Sequence, residues 1–342
     1  MRMSSKGLPE LLRAHTLPRL WEENWHAACN LRRRYWGNGV YLRGIVEFSN
    51  CCRQNCLYCG LRRDNKALAR YRMSSEAIFA AAASVAELGM GTVVLQAGED
   101  PGFSARELAD CIARIKNELG LAIALSFGEH SRDHYRLWLG AGADRYLLKV
   151  ETCNKDNHAR LRPGNTLSAR LDCLALLADL GYELGTGLIS DLPGESWQDM
   201  IEALDMLAGL RPDMLSLGPF VPHPDTPLGQ EAAGCALTNL HSMAMARILL
   251  PTAHIPVTSA LGLHGDTLRL VALELGNVLM PSLTPEELRA DYAIYPGKNI
   301  DLRSPRQRVK DFTELLLGAG FSLPSGPGGA WRHMPQAPGA AP

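Results

Sequence analysis

The sequence predicts an α/β fold, a complete (β/α)8 barrel of the TIM type with N-terminal helices and a C-terminal helical cap. Three observations carry that expectation. Short apolar, β-rich runs alternate with helical stretches from residue 43 onward. Glycines stand at the ends of several of those stretches. The connections are short, with no linker that would separate two large domains. Eight strand candidates within about 240 residues match the units of such a barrel. An open doubly wound sheet satisfies the same alternation and is the alternative.

Residues 8–35 read as helical, since Leu11, Leu12, Leu17, Leu20, Trp21, Trp25 and Ala28 recur at roughly helical spacing. Residues 43–48 form the first strand. A helix follows at 74–88, capped by Ser74 or Ser75 and favoured by an alanine run. Further strands are expected at 92–96, 122–126, 145–150, 184–189, 214–217, 255–258 and 278–280. Helices at 104–119, 131–139, 166–180, 196–209, 236–249 and 267–275 lie between them, with Gly120, Gly140 and Gly181 as C-terminal stops. The division is residues 1–40 as a helical extension, 41–300 as the barrel, 301–323 as the cap and 324–342 as a tail. The tail is rich in Pro, Gly and Ala and reads as disordered.

Composition narrows the class. Of 342 residues 46% are hydrophobic and 21% charged, enough apolar mass for a large core. The formal net charge is −1, which argues against a nucleic-acid or membrane-surface partner. The run Arg32-Arg33-Arg34 reads as a solvated helix end. No apolar run reaches the ~18–20 residues that span a bilayer. No secretory pattern opens the sequence, so a cytoplasmic location is expected. Nine cysteines is an odd count, and four of them fall within residues 51–59. That fits metal ligation in a reducing compartment better than a disulfide framework.

Cys52, Cys56 and Cys59 follow the first strand with the spacing C-x3-C-x2-C. Thiolates suit iron–sulfur clusters and zinc. Three cysteines on one loop can each hold one iron of a cubane, leaving the fourth iron open to an amino-acid-like ligand. The loop sits where barrel enzymes build their active sites. A structural zinc needs a fourth ligand, and Cys51 lies too close to Cys52 to supply it easily.

This loop, with Tyr58 before its last cysteine, resembles the signature of the radical S-adenosylmethionine (SAM) superfamily. The longer blocks at 48–65, 95–102, 142–152, 160–166, 192–196, 218–228 and 295–298 closely resemble the HydE maturase family of [FeFe]-hydrogenase, in the same order. Methylornithine synthase and biotin synthase are similar in architecture. The resemblance implies one [4Fe–4S] cluster on the three cysteines and SAM as cofactor. It places Gly98, Glu99 and Asp100, similar to a Gly-Gly-Glu motif, on the SAM ammonium, with Tyr58 beside the cofactor. Glu151 then meets ribose hydroxyls or the ammonium, and Arg170 forks onto the SAM carboxylate.

On the substrate side Ser126, at the end of the third strand candidate, and Tyr295 are read as catalytic. Thr258, Ser259 and Ala260 offer hydroxyls and amides to an anion, and Asn277 and Met280 flank the eighth strand. His223, between prolines, reads as a loop anchor. Two departures stand out. No cysteine follows Cys235, so a C-terminal second cluster has no ligands. Lys149 stands where relatives often carry Arg, a point charge in place of a fork.

The resemblance further implies reductive SAM cleavage to a 5′-deoxyadenosyl radical. It implies action on a cysteine-bound iron carbonyl cyanide unit in the building of the hydrogenase di-iron subcluster. Partners would be the maturases HydG and HydF and an electron donor such as ferredoxin or flavodoxin. The alternatives are a methylornithine-synthase-like or biotin-synthase-like enzyme, and a non-catalytic iron–sulfur carrier.

Overall fold

In the computed structural model, which describes residues 19–299, 301 and 303–333, the apolar runs become parallel strands. They are β1 (Tyr41–Leu42), β2 (Gly44–Ser49), β3 (Thr92–Ala97), β4 (Ala122–Ser126), β5 (Arg145–Leu147), β6 (Glu183–Ser190), β7 (Met214–Pro219) and β8 (Val278–Leu279). Strands β2 to β7 form a six-stranded parallel sheet in chain order, and β1 pairs with β8. Single parallel bridges join Met214 to His254, Leu217 to Val257, Pro256 to Val278 and Ile45 to Ser282. The strand expected at 255–258 is therefore reduced to bridges. Pro256 has no N–H to donate, and Thr258 already caps the short helix Ser259–Gly262.

Both faces of the sheet are buried, as parallel sheets require. Val46, Val93, Leu95, Ile123 and Leu125 pack toward the helices, while the alternate residues Ile45, Val94 and Ala124 meet Met280 on the inside. The helices start where hydroxyl residues predict. Ser74, Ser104, Ser131, Thr166 and Ser196 each accept a backbone N–H three residues on. Gly120 and Gly181 end theirs at φ 63° and 98°. Gly140 is the last residue of its helix, as expected, but the left-handed turn there falls at Gly142. Three short helices, Lys155–Leu161, Ser259–Gly262 and Glu286–Arg289, have too little periodicity to be read from sequence.

The helix Arg19–Trp36 packs on Ala236–Leu249, and the expected helical residues 8–18 lie outside the described part. Arg32 is not solvated. It is buried and donates to the carbonyls of Gly37, Gly39 and Gly276. The expectation of disorder from residue 324 fails over 324–333. The carbonyl of Pro327 accepts from Thr92 and Arg145, that of Gly328 from Arg43, and that of Gly329 meets His254. Composition misleads there because the segment contributes backbone acceptors to buried arginines, for which side chains are not needed. Residues 334–342 of the tail lie outside the described part. No helix among the described residues is long and apolar enough to cross a membrane.

Candidate active site

The loops leaving the C-terminal ends of the strands enclose a cavity of about 320 Å³. Cys52, Cys56, Tyr58 and Cys59 come from the loop after β2, Gly98 and Glu99 from the end of β3, and Ser126 from β4. Lys149 and Glu151 follow β5, and Arg170 comes from the helix Leu167–Leu180. Thr258, Ser259, Ala260, Met280 and Tyr295 complete the far wall.

Close packing fixes the cysteine loop. A Cβ on Gly98 would lie 2.2 Å from the Cys51 carbonyl oxygen and 2.9 Å from Cys52 Cβ, so only glycine lets β3 pass the loop. The Glu99 N–H donates to Cys52 Sγ at 3.3 Å. Arg70 ties the loop together by donating to the carbonyls of Asn50, Leu61, Arg62 and Asn65. Burial pushes the Cys52 thiol up to about 11 and raises Cys56 and Cys59 as well, although Arg162 opposes the shift at Cys56. Thiols this buried become thiolates only beside a cation, which metal supplies. Among the described residues no three His, Cys, Asp or Glu side chains group around a single ion. A cubane asks for something else, thiolates that each meet a separate iron.

Facing the cysteines are polar atoms without partners. Strand β5 stops at Leu147, and the chain turns so that Glu151 takes φ 72°, held by its N–H to the Gly187 carbonyl and its carbonyl to the Ile189 N–H. A left-handed non-glycine costs of order 1–3 kcal/mol and is kept where surroundings over-determine it. Glu151 Oε2 sits 2.8 Å from Lys149 Nζ, without hydrogen-bond alignment. Arg170 Nε lies 3.0 Å from Glu129 Oε1, also unaligned, and its Nη1 has no partner. Arg162, absent from the sequence-based site, is buried among Tyr58, Cys56, Glu151 and Glu129 with its Nε unpartnered. Burial and the Glu99 charge raise the Glu129 carboxyl. An unmet buried donor or acceptor costs about 1–3 kcal/mol, so a ligand that supplies carboxylate, ammonium and hydroxyls would complete this wall.

Glu99 is different. Its carboxylate already accepts from Arg53 Nε at 2.6 Å, Gln54 Nε2 at 2.7 Å and the Glu129 N–H at 3.0 Å. A guanidinium occupies the place expected for an ammonium. Two expected residues lie outside the cavity. Asp100 turns away to accept from Arg72, Ser49 and the Gly102 N–H, because the loop after β3 needs an anchor there. Asn277 is fully buried between Arg247, His254 and the Ile255 N–H, where its amide satisfies neighbouring donors and acceptors. His223 accepts from the Asp225 N–H and packs beside Gly60, a loop anchor as expected.

Sequence reasoning also missed a buried pair. Glu47 on β2 is fully buried and ion-paired with Lys298, with Ser282 and Thr284 donating to its carboxylate. Burial is the largest single influence and pushes the Glu47 carboxyl up, but the Lys298 charge and the hydrogen bonds from Lys298, Ser282 and Thr284 together outweigh it and hold the carboxyl below the usual range. Lys298 lines the cavity and stands 4.7 Å from the Tyr292 ring centroid. Tyr295 bonds the Ser259 hydroxyl, and burial pushes its phenol up. The YPGK block carried Lys298 in plain view, but an acid inside an apolar strand run gave no sign of where its partner lay.

A parallel sheet whose first long strand opens into a three-cysteine loop defines the radical SAM class, and residues 46–207 match the radical SAM superfamily. Its members use a [4Fe–4S] cluster and SAM. The chain is 47% identical over 272 residues to the [FeFe] hydrogenase maturase subunit HydE of Thermotoga maritima, covering 79% of this chain and 78% of that one. It belongs to that HydE-type family of radical SAM enzymes. It is also 26% identical to a 3-methylornithine synthase of Methanosarcina acetivorans, over 88% of this chain and 85% of the relative. A crystal structure of methylornithine synthase superposes with a TM-score of 0.80 at 24% identity, over 95% of each chain, and shares the fold.

Proposed function

We propose that this enzyme acts in maturation of the [FeFe]-hydrogenase active site, on a cysteine-bound iron carbonyl cyanide unit. The observation that carries the reading is the cavity itself. Three cysteines share it with Arg170, whose Nε and Nη1 make no hydrogen bond, and with a strained Glu151, in a chain 47% identical to HydE of Thermotoga maritima.

Cys52, Cys56 and Cys59 would hold one cluster. When bound, the cluster and SAM supply an electron and, through reductive cleavage, a 5′-deoxyadenosyl radical. Arg170 presents a forked donor set to the SAM carboxylate, and Glu151 accepts from ribose hydroxyls or the ammonium. Gly98 offers close backbone, Tyr58 packs beside the cofactor, and Glu99 shares an ammonium only by loosening its hold on Arg53. Ser126, Thr258, Ser259, Ala260, Met280 and Tyr295 form the substrate wall. The enclosed lining keeps water away from a reactive species.

A complete eight-stranded barrel supports that enclosure. The bridges at His254, Pro256, Val257 and Ser282 favour counting the two sheets as one closed barrel, residues 41–300. HydG, HydF and a ferredoxin or flavodoxin are the proposed partners, in the cytoplasm.

The test is anaerobic reconstitution with SAM and dithionite, measuring 5′-deoxyadenosine, and then turnover of cysteine-bound iron carbonyl cyanide. Cleavage that stops in Cys56→Ala and is stimulated by the iron substrate supports the reading. A loaded cluster that neither binds nor cleaves SAM overturns it.

A further inference from the structure

The segment that carries the cysteines is also strongly basic. Residues 51–72 hold six arginines and lysines against one acid, in a chain of formal net charge −1. Their placement matters more than their number. Arg53, Arg63, Lys66, Arg70 and Arg72 are all exposed. The acids that answer Arg53 and Arg72 lie behind them: Glu99 and Asp100 are 4% and 2% exposed, against 54% and 47% for the two arginines. Cationic groups therefore face outward and their counter-charges inward. Asp64, beside Arg63, is the exposed acid of the segment. Lys66 and Arg70 spend their hydrogen bonds on backbone carbonyls, and those of Arg70 make patch and cysteine loop one rigid unit.

We infer that this face is the docking surface for an acidic one-electron carrier protein, with Arg53, Arg63, Lys66 and Arg72 as its contacts. The inference rests on the assignment of the cluster to the three cysteines. Cys52, Cys56 and Cys59 line the cavity from within the same segment that carries the exposed cations, so a carrier docked on those cations would stand close to the cysteines. Electron transfer falls steeply with distance, and a carrier gains by docking there. A basic patch steers an acidic partner into that orientation and raises its on-rate. Redox encounters are small and transient, which suits a charged patch without a large apolar face. One electron leaves the carrier's reduced centre and enters the oxidised cluster; no bond or proton moves.

The experiment uses the holoenzyme and a small acidic [4Fe–4S] ferredoxin. Calorimetric affinity for the oxidised ferredoxin is measured across salt concentrations. 5′-Deoxyadenosine formation is then driven either by reduced ferredoxin or by dithionite. The double variant Arg63→Glu, Lys66→Glu is compared with Arg33→Glu, Arg34→Glu, an equal charge change on the exposed end of the N-terminal helix. The expected result is affinity weakened by about tenfold at low salt, with a flatter salt dependence, in the first variant alone. Ferredoxin-driven cleavage falls in parallel while dithionite-driven cleavage is unchanged. Equal affinities in all three proteins overturn the inference. So does wild-type protein that turns over with dithionite yet binds ferredoxin no better than heparin. Loss of dithionite-driven cleavage in wild type would instead strike the proposed function and leave the calorimetric comparison readable.

Discussion

Both ends of the parallel sheet bury charge, and they treat it in opposite ways. At the base, Arg145 is held by Glu183, Thr92 and Pro327, His254 by Gly329 and Asn277, and Arg43 by Gly328. Of these groups only Arg43 Nε lacks a partner. At the mouth, Arg162, Arg170 and Glu151 all carry buried polar atoms without hydrogen bonds, and Glu151 is strained as well. Burial alone does not mark a site. Charge that the fold leaves incomplete does.

The sharpest test exchanges the ends. Cys56→Ala should abolish 5′-deoxyadenosine formation while lowering apo-protein stability by only ~1 kcal/mol, since a small buried thiol is replaced by a methyl. Arg145→Ala should do the reverse, costing about 3 kcal/mol because Glu183 loses its guanidinium and keeps only the Ala330 N–H and His333, with SAM affinity unchanged. Chemical denaturation and SAM titration together decide; a base variant that weakens SAM binding would break the contrast.

Glu47 tests whether the mouth also has a structural charge. Glu47→Gln should destabilise by about 3 kcal/mol, leaving Lys298 unmatched. The Glu47 carboxyl is held below its ordinary value, so its stabilisation is full above the ordinary glutamate pKa and drains away as pH falls through the folded value. The double variant Glu47→Gln, Lys298→Met should therefore lose stability less steeply in acid than wild type, as read by unfolding midpoints across pH.

Smaller effects follow. Arg170→Lys keeps the charge and loses the fork, and should weaken SAM about tenfold, or ~1.4 kcal/mol, by equilibrium binding. Glu151→Gly should raise apo-protein stability by ~1 kcal/mol while weakening SAM, because strain is released and a ligand group lost. Arg332→Ala breaks a pair with Asp213 from an exposed side chain and should change the unfolding free energy by less than about 1 kcal/mol.

Much of this contrast could be read in advance at one end only. The cysteine spacing, the hydroxyl caps and the alternating strands announced the mouth, since each is a local pattern. Arg162, Arg70 and the Glu47–Lys298 pair did not show, because their meaning lies in partners far along the chain. Asp100 and Asn277 were misread for the same reason: a polar residue at a strand end looks alike whether it faces the cavity or a neighbouring loop. The base was missed altogether, since Pro and Gly near residue 327 suggest disorder and only their carbonyls matter.

That basal closure sets a timetable. Arg43 waits for Gly328, a separation of 285 residues, and Thr92 for Pro327, 235 residues later. At ordinary translation speeds the interval is on the order of tens of seconds. Throughout it the nascent barrel holds guanidinium groups whose acceptors have not yet been synthesised. The cysteine loop, encoded close behind Arg43, emerges long before the floor beneath it is sealed. Folding must therefore finish from the bottom, and a ribosome stalled late in the message would carry a barrel with its loop made and its base still open.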